Sequence, residues 1–521
     1  MKVSKNSFDY IIVGAGASGC VLANRLSADP TVRVLVLEAG GSDKDPNIAD
    51  IGGFVKLWGS DKDWNLKTIP QPGLLNREIT INQGKVLGGS SSINAMMYVR
   101  GNSRNFDQWN SLGADGWSYE ELLPLFKKLE DYSGGDWKFH NKDGELKIGD
   151  CPEPEMRAPE FLKAAAEIGY NEPHWDYNGA RQENSAGYLQ FHIDRNGKRE
   201  SGATAFLHPV MDRENLVVIT NTQVARVIID DKKATGVAVI KDGKEEIFTA
   251  TSEVILSAGA LASPKILLLS GIGPKMHLEE IGIPVNADLP GVGHNLQDHL
   301  QLPVIFRSGK QLPNTSLLTG NVLFIRSRKN ENAAPDIQIN FTPSLPAPLK
   351  PLLPDFGGQI CIFLAILVQP FSSGYVKLQS TDPYAPPLIN PNYLQQEADL
   401  KALAIGVEVI RKIAGSPAFA ELNQSEIAPG AADMEDFIRS QASTLWHPAG
   451  TCKMGQDAMA VVNPKLQVWG IKNLRVADAS IMPNVTSGNT VASCFMIGEK
   501  AAALIMEDKV RGQITVSEKK Y

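Results

Sequence analysis

The chain has 521 residues, a formal net charge of −7, 43% hydrophobic residues and 21% charged residues. The length exceeds what one hydrophobic core supports, so two or more lobes are expected. The acidic balance argues against a nucleic-acid partner, and the composition is that of an ordinary globular protein.

Five cysteines (Cys20, Cys151, Cys361, Cys452 and Cys494) lie far apart, with no C-x-x-C. That pattern predicts free thiols in a reducing compartment, and a cytoplasmic location is expected. The opening MKVSKNSFDY has no apolar stretch of signal-peptide length. The longest later apolar run, residues 360–368, is well short of the roughly 20 residues of a membrane-spanning helix. It predicts a buried strand, and no transmembrane segment is expected.

In chain order, residues 8–13 form an apolar run that predicts a buried parallel strand. Gly14, Gly16 and Gly19 follow in G-x-G-x-x-G spacing. Val21, Leu22, Ala23 and Leu26 mark one face of a helix ending near Asp29 and Pro30. Residues 32–37 predict a second strand, with Glu38 at its end. Gly14 permits the tight turn, Gly16 opens the backbone to a pyrophosphate, and Gly19 lets helix and strand pack closely. The helix N-terminus offers free N–H groups to phosphate. Glu38 suits ribose hydroxyls and would repel a 2′-phosphate, disfavouring NADP. The unit predicts a dinucleotide but does not choose between NAD and FAD.

Two later stretches carry more. GKVLGGSSSINAMMYVRG (84–101) is rich in small residues that let a backbone press against a flat ring. GALASPKILLLSGIG (259–273) reads as a turn, a helix and a second glycine turn, after a buried strand. Residues 336–342 and 374–381 predict strands of a second lobe. Residues 343–356, rich in proline and leucine, predict a loop at the entrance of an apolar tunnel. Near the C-terminus TLWHPAGTCKMG sets His447 between Trp446 and Pro448. These residues alone leave four roles open: metal ligand, partner of a nucleophile, base toward a substrate, or packed core residue. The eight histidines form no H-x-x-x-H cluster, and there is no G-x-S-x-G, which argues against the first two.

Together these segments resemble the glucose–methanol–choline (GMC) oxidoreductases, a family of FAD enzymes. The 84–101 and 259–273 stretches look like that family's two signature motifs. PGVGHNLQDH (290–299) and residues 474–503 match it too. The resemblance implies an α/β fold with a Rossmann-like FAD-binding domain assembled from residues 1–150, 200–300 and 445–515. An α+β substrate domain on an antiparallel sheet would take residues 151–199 and 301–444, leaving 516–521 as a solvated tail.

By the same resemblance, the pyrophosphate would lie over Gly14, Gly16, Ala17, Ser18 and Gly19, the adenosine ribose on Glu38 beside Ala39, and the adenine near Val224. The flavin would lie against Gly88, Gly89, Asn94, Ala95, Met96 and Met97, with Asp478 and Ala479 toward the pyrophosphate and ribityl chain. Thr490 belongs with Asn489 at the cofactor, and Trp64 is a further contact. Some members hold FAD through a histidine where this chain has Ile93, so non-covalent FAD is expected.

The resemblance also makes His447 and Asn489 the substrate-side pair, a His–Asn variant. Oxidising an alcohol removes a proton from oxygen and a hydride from carbon. His447 would take the proton, a role typically worth about 10²–10⁴-fold. Asn489 can hydrogen-bond the same oxygen but accepts no proton at neutral pH. His294 and His299 are expected to be structural or near the cofactor, and Cys452 and Cys494 packed small residues. The implied partners are a small alcohol and an electron acceptor, either oxygen or a separate carrier. Two other activities occur on such a scaffold, hydroxynitrile lyase and fatty-acid photodecarboxylase. The second places a cysteine where this chain has Val368, Gln369 and Pro370.

Overall fold

A computed structural model describes residues 6–171, 176–241, 244–310, 315–346, 349–350 and 353–518. Strand β1 (Ser7–Val13), helix α1 (Ala17–Leu26) and strand β2 (Val34–Leu37) make the expected βαβ unit. Every residue of β2 is buried, as a parallel strand covered on both faces requires. Strand β3 (Leu216–Ile219) adds parallel to β2. Strands β4 (Val224–Asp230), β5 (Lys233–Lys241) and β6 (Lys244–Leu256) form an antiparallel meander. One edge of β6 pairs in parallel with β1; its other edge is shared by β5 and the late strand Leu474–Val476. The sheet order is therefore β3-β2-β1-β6-β5-β4. Helix α2 (Gly259–Leu269) follows β6, and the last helix, Val491–Glu518, packs on α1.

The second lobe is an antiparallel sheet of β7 (Leu300–Ser308), β8 (Asn321–Ile325), β9 (Ile337–Thr342) and β10 (Ile360–Leu367). Helix α3 (Glu397–Ala414) backs it, and β11 (Asn423–Ala428) flanks it, giving the order β11-β7-β10-β9-β8 with Ala186–Tyr188 outermost. Side chains alternate across a strand, and that period divides the sheet into two faces. Leu302, Val304, Ile339, Phe341, Phe363 and Ala365 join a core with Leu403 and Ile410 of α3. Their alternates, Gln301, Pro303, Gln338, Asn340, Ile362 and Leu364, face the cavity between the lobes. The helix-backed face fixes the sheet, which holds the opposite face as a wall.

Three expectations shift. Residues 374–381 do not join the substrate sheet: only Gly374–Lys377 is strand, paired with His294–Leu296 and Leu388–Asn390 in a separate sheet. Val376, Leu296 and Ile389 bury there against Leu261 of α2, which draws this part of the assigned substrate domain onto the cofactor lobe. The second strand starts at Val34, not at residue 32. Residues 516–518 continue the last helix rather than trailing as a tail, and 519–521 lie outside the described residues. In the 343–356 loop, residues 347–348 and 351–352 also lie outside them. Among the described residues no helix is long and apolar enough to cross a membrane, and no group of three or more potential ligands could hold a metal.

Candidate active site

A cavity of about 1200 Å³ runs between the lobes. It is larger than the roughly 300–1,000 Å³ of a typical small-molecule site, with room for an elongated cofactor and a substrate beside it. Of the residues expected at the cofactor, all but Gly19 and Gly88 line it.

At one end, α1 points its N-terminus into the cavity with no side-chain cap and no acidic residue in its first turn, leaving N–H groups and a positive partial charge for an anion. A Cβ on Gly16 would meet nothing nearer than the Ser257 carbonyl at 3.9 Å, whereas one on Gly14 (φ +101°) would lie 2.5 Å from that oxygen. Gly14 is thus fixed by the fold, and the space over Gly16 is open. Gly19 serves close packing, because a Cβ there would sit 2.0 Å from the Gly14 carbonyl oxygen. Glu38 accepts hydrogen bonds from the Ala15 N–H (2.8 Å, on Oε2) and the Gly40 N–H (2.8 Å, on Oε1). Burial nevertheless raises its carboxyl above the usual value. Each oxygen keeps a lone pair for a hydroxyl. The open cradle, the uncapped helix and this acceptor together fit a dinucleotide.

Further along, Gly89, Asn94, Ala95, Met96 and Met97 form a shelf. Gly88 does not line the cavity, and a Cβ there would collide with Ser92 Oγ at 2.2 Å. Ile93 is buried with Ile48, Leu57 and Val86. Asp478 lines the cavity, but its carboxylate is turned to the protein. It accepts from the Gly259 N–H (2.9 Å), the Ser263 hydroxyl (2.5 Å) and the Ser480 N–H (2.8 Å). It ties α2 to the 478–481 turn and leaves the backbone there to face a ligand. Trp64 lines the cavity with Lys85 Nζ 4.8 Å from its ring centroid.

His447 lines the cavity. Its Nε2 lies 3.4 Å from Asn489 Nδ2, and its Nδ1 3.0 Å from Nδ1 of His299. Burial holds its imidazole far below the usual value, at about 3. The turn carrying it is constrained. Trp446 is left-handed (φ +63°), and its N–H donates to Thr444 Oγ1 at 2.7 Å. The His447 N–H donates to Asp298 Oδ1 at 2.8 Å, and Asp298 Oδ2 accepts from the Tyr393 and Thr444 hydroxyls, each at 2.5 Å. Burial raises Asp298 to about 6 against those hydrogen bonds. Backbone strain of this kind persists only where its surroundings over-determine it.

Sequence reasoning brought His447 and Asn489 together and missed what stands behind them. His299, expected to be structural or near the cofactor, is fully buried and bonded to His447. Asp298, Tyr393 and Thr444 were not singled out. The one signal was the adjacency of Asp298 and His299 in the NLQDH stretch. His294 lies away from the cavity on the separate small sheet. Cys452 is fully buried, while Cys494 is half-buried at the cavity wall.

The GMC oxidoreductase family matches the chain twice, over residues 8–301 and 370–498. An alcohol dehydrogenase (acceptor) of Pseudomonas putida is 40% identical, covering 96% of each chain. An oxygen-dependent choline dehydrogenase of Rhizobium etli is 39% identical over 96% of this chain and 95% of its own. Among solved structures, pyridoxine 4-oxidase from Mesorbium loti superposes with a TM-score of 0.89 at 32% identity, covering 95% of this chain and 98% of the other. Similarity that spans both lobes and nearly the whole length settles the kinship: the chain belongs to the GMC oxidoreductases, as an FAD-dependent enzyme acting on CH–OH donors.

Proposed function

We propose that this enzyme oxidises a neutral primary alcohol bearing an apolar or aromatic group to the aldehyde, with His447 taking the hydroxyl proton. One observation carries the reading. The Nε2 edge of His447 opens beside Asn489 onto a cavity whose wall between Gln301 and Ile366 has, among the described residues, only neutral side chains.

The chain's own groups divide the work. Gly16, Ala17 and Ser18 at the α1 N-terminus would hold the pyrophosphate, Glu38 the ribose, and Val224 the adenine. The 89–97 shelf, with Ala479 and Thr490, would hold the flavin, which supplies the hydride acceptor when bound. Ile93 has no nucleophilic atom, so attachment is non-covalent. His447 is neutral near pH 7 and can accept a proton only at an unprotonated Nε2. Nδ1 must then carry the ring hydrogen and donate it to His299 Nδ1, an arrangement assigned from hydrogen-bond logic. Asn489 Nδ2 orients the substrate oxygen beside Nε2. Leu345, Leu349 and Leu353 also line the cavity and favour an apolar group. Five free cysteines accord with a reducing cytoplasm.

A second reading has support of its own. Trp58 and Trp446 line the cavity with ring centroids 4.6 Å apart, and paired aromatic faces attract quaternary ammonium. Anaerobic reduction of the bound flavin by aromatic, long-chain and amino alcohols separates the two. Aromatic or long-chain alcohols are expected to exceed choline in kcat/KM. Choline as the best substrate would overturn the neutral-alcohol reading, and no reduction by any alcohol would overturn the oxidation itself. Readmitting air then distinguishes oxygen from a separate acceptor.

A further inference from the structure

Beneath the 89–97 shelf lies a buried cation with no carboxylate partner among the described residues. Arg199 is 3% exposed. Its Nε donates to the Ile48 carbonyl at 2.8 Å; its Nη1 donates to the Ser91 carbonyl at 3.2 Å and to Asn94 Oδ1 at 2.7 Å; its Nη2 has no partner among the described residues. Every other fully buried arginine of the described residues is paired: Arg100 with Glu130, Arg475 with Glu253 and Asp508. Among the described residues the one opposite charge acting on Arg199 is Asp50, which is exposed. An unpaired buried guanidinium is costly. A fold that keeps one beside its cofactor shelf gains something from the charge.

The neighbouring bonds show where that charge acts. Asn94 Oδ1 also accepts the Met96 N–H at 3.0 Å, and Asn94 Nδ2 donates to His192 Nε2 at 3.1 Å. His192 Nδ1 donates to the Glu200 carbonyl at 2.6 Å, and its backbone N–H to the Met96 carbonyl. Met96 is left-handed (φ +61°) and fully buried. These bonds over-determine the 94–97 backbone, and Ser91 and Asn94, two of the groups bonded to Arg199, line the cavity.

We propose that Arg199 is a positioning and charge-supplying residue: its fork locks Asn94 and the shelf, and its unpaired charge favours the reduced state of the flavin. The reaction balance explains why. The alcohol oxygen gives its proton to His447, and the carbinol carbon gives a hydride, two electrons with one hydrogen, to the ring. One negative charge therefore arrives at the shelf, where a cation in a low-dielectric surrounding is worth more than in water. Charge near the ring is a recognised lever on flavin potential.

The inference rests on FAD as the cofactor. Its test is the midpoint potential of bound flavin, read by equilibration with a redox dye and without alcohol, so an error about the substrate leaves it untouched. Absence of bound flavin in the wild-type enzyme would instead count against the FAD reading. Arg199→Gln is expected to lower the equilibrium constant for reduction at least tenfold, about 30 mV for a two-electron couple. Arg199→Lys, which keeps the charge and loses the fork, should stay within threefold of wild type while binding FAD more weakly. A glutamine variant with wild-type potential overturns the proposal. Should that variant not take up FAD, Asp50→Asn decides: removing the opposing surface charge should raise the reduced fraction, and an unchanged or lowered fraction overturns the proposal.

Discussion

Nδ1 of His299 lies 3.0 Å from Nδ1 of His447, with the two rings 89° apart. Two neutral imidazoles meeting through like atoms share one proton, so the tautomer of one dictates that of the other. Burial and His447 both push His299 well below its ordinary value, which keeps it a neutral acceptor. His299→Leu removes the acceptor and frees His447 to carry its hydrogen on Nε2, where no substrate proton can land. Anaerobic flavin reduction should slow by about 10–100-fold with FAD content unchanged, within the range of a general base's contribution. His299→Gln, whose Oε1 can accept, should recover most of that rate. Equal rates in wild type and His299→Leu would show that the contact does not set the tautomer.

The two glycines of the dinucleotide turn should fail differently. A Cβ on Gly14 strikes the Ser257 carbonyl at 2.5 Å on a backbone at φ +101°, so Gly14→Ala is expected to cost stability by about 1–3 kcal/mol or more. A Cβ on Gly16 meets nothing nearer than the Ser257 carbonyl oxygen at 3.9 Å, so Gly16→Val should fold about as well as wild type and lose FAD. Thermal melts of apoprotein with flavin fluorescence titrations check both. A Gly16→Val protein that binds FAD normally would remove the pyrophosphate from this turn.

The residues lining the cavity were legible because they sit in contiguous stretches whose local geometry has one purpose. Gly14 to Glu38 is a turn, a helix and an acid in sequence, and the period-2 alternation of residues 337–342 announces a strand with a core face and a second face. The supports of His447 were not legible. Asp298 reaches Tyr393, Thr444 and His447 across separations of 95, 146 and 149 residues. A buried acceptor serving three distant donors leaves no local pattern. The strand at Gly374–Lys377 misled for a related reason: its alternation was real, but its partner was decided by the apolar contact of Val376 with Leu296 and Leu261. Arg199 was invisible because its meaning lies in a missing partner.

The buried neutral histidines should each cost the enzyme stability in acid. Burial holds His192 and His447 at about 3, against about 6.5 in an unfolded chain. Between these values the unfolded state binds protons that the native state does not, so stability falls as pH drops below about 6.5. The slope is up to about 1.36 kcal/mol per pH unit for each group. Asp298 and Glu200, raised to about 6 and about 7 when folded, work in the opposite sense, and each offsets about one histidine down to its unfolded value of about 4. Urea midpoints of holoenzyme at pH 7.5, 6 and 5 should show the histidine share of the pH slope. His192→Gln should flatten it by about 2 kcal/mol over that range. Parallel slopes for the two proteins would show that His192 titrates normally.

Asp298→Asn tests whether the turn bearing His447 must be held for the enzyme to turn over. The carboxylate accepts the His447 N–H on one oxygen and the hydroxyls of Tyr393 and Thr444 on the other. Thr444 Oγ1 in turn accepts the N–H of the left-handed Trp446. An asparagine keeps the first acceptor and sets an amide donor against two hydroxyls that must then rotate. A loss of about 1–3 kcal/mol is expected from the mismatched group. Because the fault lies in aiming His447 and not in the cavity wall, flavin reduction should slow at least tenfold while KM changes little. The variant should also lose any step in rate near pH 6 that belongs to ionisation of Asp298. A raised KM at unchanged kcat would place Asp298 on the substrate-binding side instead, and a wild-type rate, pH profile and stability would show that the turn holds His447 without it.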